Sequence, residues 1–107
     1  MKESYTFLSD ISSHLKDIPD DSIVSKTLLK NDDCKVVLFG MAAGQELTEH
    51  KVSHPAMLHF LTGEIDLVLE GKQITAQPCS WVHMPGNMPH SVKAVTPATF
   101  LLVILKG

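Results

Sequence analysis

The stretch GQELTEHKVSHPAMLHFLTG, residues 44–63, is more informative about the fold than any other part of this sequence. A glycine stands at each end, five residues separate the first glycine from His50, and a largely apolar run precedes Gly63. The run has the length and composition of a β-strand. We expect Gly63 to end this strand in a turn that requires a positive φ angle, which glycine adopts without a steric penalty.

Outward from this stretch, the chain divides into short runs of β-branched and apolar residues. Glycine, proline or Asn-Asp clusters separate them, as expected for turns. Many short strands with frequent breaks predict an all-β sandwich or barrel. The predicted strands cover residues 22–29, 34–41, 56–61, 65–70, 73–76, 81–84, 91–95 and 99–105.

The N-terminal part of the chain differs from the rest. Between residues 7 and 18 the apolar side chains recur at steps of three and four, which is typical of an amphipathic helix. Pro19 follows directly, and a residue that precedes proline avoids helical backbone angles. The pattern therefore predicts a short N-terminal helix.

A second stretch, CSWVHMPGNMPHSVKA at residues 79–94, places His90 five positions after Pro85. With residues 44–63 it resembles the two sequence motifs of the cupin superfamily, G-x5-H-x-H-x3-4-E-x6-G and G-x5-P-x-G-x2-H-x3-N. The resemblance implies a small single-domain cupin of the type-2 class. Its expected fold is a double-stranded β-helix, or jelly-roll barrel, with His50 and His90 facing the open mouth. The resemblance places an extension at residues 1–33 and the barrel at residues 34–107 of one domain, 1–107.

The sequence departs from both motifs. Val52 and Ala56 occupy the positions of the second histidine and the glutamate, and neither side chain can coordinate a metal. In the second motif, Cys79 and Asn87 stand where the pattern has glycine, and Ala94 stands where it has asparagine. The ligand set that the resemblance implies is therefore incomplete.

Two interpretations of the histidines remain open. His54 shares the parity of His50, so His50, His54 and His90 are candidate ligands of a divalent transition metal such as Zn, Fe, Ni, Cu or Mn. A stable metal site generally needs three or more protein donors. Alternatively, His50 and His90 hydrogen-bond an organic ligand directly, and no metal is involved.

Alternation along the run at residues 56–61 indicates which side chains face the interior. Leu58 and Phe60 have the inward parity and are candidate ligand-binding residues beside His50 and His90. His59 then faces outward. His83 and Trp81 share one parity, but the sequence does not show whether they face in or out, and the roles of His59 and His83 stay open.

Composition excludes several classes of partner. Nine basic residues against twelve acidic ones, without charge blocks, provide no basic surface for a nucleic acid. The apolar runs are far shorter than the roughly 20 residues that span a bilayer, and no signal-peptide pattern is visible at the N-terminus. We therefore expect a cytoplasmic protein without nucleic-acid or membrane partners.

Cys34 and Cys79 form no CxxC motif, and we expect both to be buried, reduced thiols.

These observations favour a cupin that binds a small molecule in a histidine-containing barrel pocket, with or without a metal. The alternative is a metal-dependent cupin enzyme of the oxygenase, isomerase or decarboxylase type, in which an open metal position supplies the chemistry. The sequence assigns no catalytic residue. The resemblance also implies a homodimer, since extra N-terminal strands in small cupins pair across a twofold axis.

Overall fold

A computed structural model of the protein describes residues 4–106; residues 1–3 and 107 lie outside the described part. Residues 4–106 form nine β-strands and one 3-10 helix, Ile11–His14. The strands are β1 (Ile23–Lys30), β2 (Cys34–Met41), β3 (Glu46–His50), β4 (Ala56–Thr62), β5 (Ile65–Leu69), β6 (Lys72–Ala76), β7 (Trp81–Met84), β8 (His90–Ala94) and β9 (Ala98–Leu105). No helix in the described residues is long and apolar enough to cross a membrane.

The strands form two antiparallel sheets that share one hydrophobic core. One sheet has the order β1-β2-β9-β4-β7 and the other β3-β8-β5-β6, so the chain passes repeatedly from one sheet to the other. Leu58, Phe60 and Phe100 of the first sheet pack in the same buried cluster as Leu67 and Val92 of the second. This is the predicted all-β jelly-roll architecture.

Alternation of side chains decides which residues enter the core. Ala56, Leu58 and Phe60 on β4 are 1–3% exposed, whereas the intervening His59 is exposed. On β9 the ring of Phe100 stacks on Phe39 with 5.1 Å between ring centroids and an interplanar angle of 6°. The inward parity predicted for Leu58 and Phe60 is therefore confirmed by their burial.

The predicted N-terminal helix is wrong. Only the four residues Ile11–His14 are helical, and they form a single 3-10 turn capped by the side chain of Asp10, which accepts from the backbone N–H of Ser12. The hydroxyl of Ser13 donates to the backbone carbonyl of Asp10. Serine and aspartate compete in this way with helical hydrogen bonds, so apolar spacing alone did not suffice to form a helix.

The strand prediction omitted β3, which carries His50. Four of its five residues are exposed, and Leu47 is the one apolar side chain among them. A strand at a sheet edge with a single apolar residue lacks the alternation that identifies strands from sequence. The other eight strands lie within one residue of their predicted bounds at either end.

Gly63 lies in a turn where a residue with a Cβ atom does not fit. Its φ angle is +80°, as the sequence predicts, and a Cβ atom there would collide with the carbonyl oxygen of Pro97 and lie 2.7 Å from the Cα of Ala98. Gly44 and Gly71 have φ angles of +83° and +81°, but nothing lies within 4 Å of a Cβ at either position. A substitution at Gly44 or Gly71 therefore has only the energetic cost of a left-handed backbone, whereas one at Gly63 has the additional cost of a steric collision.

We expect Gly44→Ala and Gly71→Ala each to lower the free energy of unfolding by about 1–2 kcal/mol, the cost of a left-handed backbone. Gly63→Ala should cost about 2 kcal/mol more, because the methyl group has no space beside Pro97. Urea unfolding of the three variants measures both quantities. Equal losses at all three positions would contradict the close packing of Gly63 against β9.

Candidate functional site

Strands β3 and β8 bring two histidines that are far apart in sequence to one place. The antiparallel register pairs Glu46 with Lys93, Leu47 with Val92, and then His50 with His90. From Leu47 to His50 the chain advances three residues, whereas from Val92 to His90 it advances two. Strand β3 therefore contains one extra residue, a β-bulge. In regular pairing Glu49 would lie opposite His90; with the bulge, His50 takes that place.

The two imidazole rings lie against each other at the border between core and solvent. Their centroids are 4.3 Å apart and the ring planes are inclined by 56°. His90 is 7% exposed and is the one buried polar or charged residue between residues 4 and 106, whereas His50 is exposed. A ligand at this pair would contact one sheltered ring and one accessible ring.

Both rings are held by the same kind of hydrogen bond. Nδ1 of His50 lies 2.8 Å from the carbonyl oxygen of Thr48, and Nδ1 of His90 lies 3.0 Å from the carbonyl oxygen of Met88. A carbonyl oxygen only accepts, so Nδ1 donates in each case. In the neutral rings this assigns the proton to Nδ1 and leaves a lone pair on both Nε2 atoms. Sequence reasoning missed Thr48 and Met88, because backbone carbonyls carry no side-chain signal.

His54, the third candidate metal ligand, lies on an exposed loop after β3. This loop is attached to the β7–β8 connection: the backbone N–H of Asn87 donates to the carbonyl oxygen of Val52 at 2.6 Å, and Gly86 packs against Ser53. Among the described residues, no three His, Cys, Asp or Glu side chains are grouped so that they could hold a metal ion. The structure therefore brings His50 and His90 together without His54.

The remaining candidate residues occupy different surroundings. Leu58 and Phe60 are buried in the shared core. Phe60 also lines a cavity between β6 and β7 that neither His50 nor His90 lines. His59 and His83 are both exposed, as is Trp81, so the pair on β7 faces outward.

The glycine positions of the second motif retain their backbone conformation without glycine. Cys79 has a φ angle of 77° and Asn87 one of 66°, both in the left-handed region. The backbone N–H of Cys79 donates to the carbonyl oxygen of Phe60, and that of Asn87 donates to Val52, so both conformations are held by β4 and the β3–β4 loop. Cys79 is exposed and Cys34 half-buried, so the expected burial of both thiols is wrong.

No protein-family model and no curated protein matches the sequence. Solved structures, however, share the fold. A cupin superfamily protein from Desulfitobacterium hafniense is 17% identical and superposes with a TM-score of 0.85 over 100% of this chain and 95% of its own. An RmlC-like cupin from Desulfovibrio desulfuricans is 27% identical, with a TM-score of 0.78 over 99% and 98% of the two chains. The DMSP lyase DddQ from Ruegeria pomeroyi is 20% identical, with a TM-score of 0.74 over 79% of this chain and 47% of its own.

The chain is therefore a small protein of the cupin fold. The resemblance that the two motifs indicate is confirmed by these structural neighbours and by the two antiparallel sheets. More specifically, it resembles the RmlC-like cupins over nearly its whole length. Its motif-1 positions at Val52 and Ala56 distinguish it from cupins that carry a full set of metal ligands.

We expect Cys79→Gly to stabilise the protein by about 0.5–1 kcal/mol. Glycine relieves about 1–2 kcal/mol of left-handed strain but gives the unfolded chain additional freedom, which offsets part of that gain. Cys79→Ala retains the strain and serves as the control. Asn87→Gly should change stability less, because asparagine tolerates the left-handed region. Thermal unfolding that ranks Cys79→Gly at or below Cys79→Ala would contradict the strained conformation of Cys79.

Proposed function

We propose that this protein binds a small organic molecule at the mouth of its barrel, through Nε2 of His50 and Nε2 of His90. The observation that supports the proposal is the orientation of the two rings: each Nδ1 is bonded to a carbonyl oxygen, which leaves both Nε2 atoms for a ligand. A neutral Nε2 accepts a hydrogen bond, and a protonated one donates. A ligand with a hydroxyl or acid group suits such a pair.

The proposed site also needs an apolar surface for the body of the ligand. Ala56, at the position of the motif-1 glutamate, is 1% exposed, and Val52 is 37% exposed. We propose that Leu58 and Phe60 contribute the apolar wall deeper in the barrel. Small-molecule sites commonly combine an apolar lining with a few placed polar groups. The ligand would thus have one polar end and an apolar body.

A divalent transition metal is the second element of this proposal. Imidazole nitrogens are suitable donors for Zn, Fe, Ni, Cu and Mn. His50 and His90 provide two donors, and the described residues contain no group of three. The donor set therefore fits a weakly held metal that takes its remaining ligands from the small molecule and water, and His54 completes the set only if its loop changes position.

The alternative function is a metal-dependent cupin enzyme of the oxygenase, isomerase or decarboxylase type. One protein with the same fold is a DMSP lyase, which shows that the architecture accommodates catalysis. Fold alone does not assign activity, however. An enzyme of this type needs a firmly held metal, for which two histidines are too few. We therefore favour the binding function.

Nuclear magnetic resonance of the histidine rings tests the proposal directly. A set of small hydroxy compounds and organic acids is titrated into the protein, first alone and then with Zn²⁺. We expect the Nε2 signals of His50 and His90 to shift, and the shift to be lost in His50→Ala and His90→Ala but kept in His59→Ala, the exposed control. Unchanged imidazole signals throughout both titrations would contradict the proposal.

Elemental analysis separates the two functions. The binding function predicts that zinc is lost on dialysis and that His54→Ala makes no difference. Stoichiometric metal that survives dialysis and is lost in His54→Ala would instead support the enzyme and the three-histidine site.

We further propose a cytoplasmic homodimer formed by a single domain. The free thiols of Cys34 and Cys79 suit a reducing compartment. Within residues 4–106, strand β1 pairs with β2 alone and so forms one edge of its sheet. Tyr5 and Phe7, which precede it, are 71% and 75% exposed. A second copy would cover this edge. Sedimentation equilibrium should give twice the chain mass of 11.7 kDa; the mass of a single chain would contradict the dimer.

A further inference from the structure

The barrel has a second opening, on the side where its two sheets do not join. Strand β7 is the last strand of the first sheet and β6 the last strand of the second. A cavity of about 310 Å³ lies between them. Its size falls at the lower end of the range for small-molecule sites, about 300–1,000 Å³.

The walls of this cavity change from buried to exposed. Phe60, Leu67 and Ala76, which are 1–2% exposed, lie at its base. Ile74 and Trp81 also line it and are 38% and 60% exposed. Ile74 shares the inward parity of Ala76, and its exposed apolar side chain gains free energy when an apolar molecule covers it. Trp81 faces outward on the edge strand β7 and borders the cavity from there.

Two residues that line the cavity, Ser80 and Thr75, have hydroxyl groups. Ser80 accepts a hydrogen bond at Oγ from the backbone N–H of Gln77, 3.1 Å away, and its own O–H proton stays available to donate. Thr75 is exposed and alternates with Ile74 and Ala76 on β6, so its hydroxyl faces away from the core and Ser80 is the polar group that the ligand meets. No lining residue carries a charge. The cavity therefore suits a neutral ligand with one hydroxyl or carbonyl group.

We propose that this side cavity is a second binding site, for a small neutral aromatic or aliphatic molecule that carries a single hydroxyl or carbonyl group. At about 30 Å³ per water molecule, the volume equals that of roughly ten waters, which is enough for a small ring compound. That is too little space for a peptide segment. Neither His50 nor His90 lines it. The cavity nevertheless reaches Leu69, which lies opposite His90 in the β5–β8 pairing, and it shares Phe60 with the proposed wall of the histidine site, so the two sites are neighbours.

Fluorescence of Trp81 reports occupancy, since Trp81 is the single tryptophan of the chain and lines the cavity. We expect p-cresol to change its emission saturably. Toluene, which lacks the hydroxyl, should bind about threefold to tenfold more weakly, the usual effect of one hydrogen bond. A linear, non-saturating response to both probes, or equal affinity for both, would overturn the proposal.

Variants locate the site. Ile74→Asp should weaken p-cresol binding about tenfold or more, because a carboxylate at the rim stays hydrated and opposes an apolar ligand. Gln73→Asp places the same charge one residue away, at a position that does not line the cavity, and should leave the affinity unchanged. His50→Ala should also leave it unchanged. Loss of binding in His50→Ala would place the probe at the barrel mouth and overturn the side site.

Chemical-shift mapping of the unaltered protein gives an answer that does not depend on the folding of any variant. Bound p-cresol should shift the backbone amides of residues 74–76 and 80–82 more than those of β3. The reverse pattern would overturn the proposal while leaving the histidine site intact.

Discussion

The pairing of β3 with β8 is the constraint on which the histidine site depends. One extra residue between Leu47 and His50 changes which side chain on β3 stands opposite His90. Without this bulge, strict alternation would place Glu49 there, and a carboxylate would replace one of the two imidazoles. A one-residue irregularity in an exposed edge strand thus decides which side chain lies beside His90.

Backbone conformation also explains why the cupin pattern is recognisable in a sequence that lacks several of its residues. Gly44 and Gly63 of the first motif have positive φ angles, and so do Cys79 and Asn87 at glycine positions of the second. The turns are fixed by hydrogen bonds to neighbouring strands, so the fold imposes the left-handed conformation even on residues that adopt it at a cost. At residues 79 and 87 glycine would lower that cost but is not required for the turn, whereas at Gly63 a Cβ atom would also collide with Pro97.

Much of the fold could be predicted because local patterns and tertiary packing agree. Between residues 56 and 61, alternation identified the buried faces of Leu58 and Phe60 as well as the strand itself. The N-terminal segment has the apolar spacing of a helix but forms only a single 3-10 turn, because the hydroxyl of Ser13 and the carboxylate of Asp10 bond the local backbone. Strand β3 was missed because its place is set by pairing with β8 and not by its own hydrophobicity.

Motif spacing predicts which histidines form the candidate site but not how their rings are oriented. The motif spacing predicts that His50 and His90 lie near each other, and their ring centroids are 4.3 Å apart. The carbonyls of Thr48 and Met88 that orient the rings depend on backbone geometry, which a sequence does not display. The side cavity arises from two strands at the edges of different sheets, a relation that no single segment encodes.

The most direct test of this account is the protonation pattern of the two imidazoles in the free protein. Long-range ¹H–¹⁵N spectra of the neutral rings should show the proton on Nδ1 and an unprotonated Nε2 for both His50 and His90. A nuclear Overhauser effect should connect the rings, given the 4.3 Å between their centroids. A proton on Nε2 of either ring, or the absence of any ring-to-ring effect, would contradict a paired site with two free Nε2 atoms.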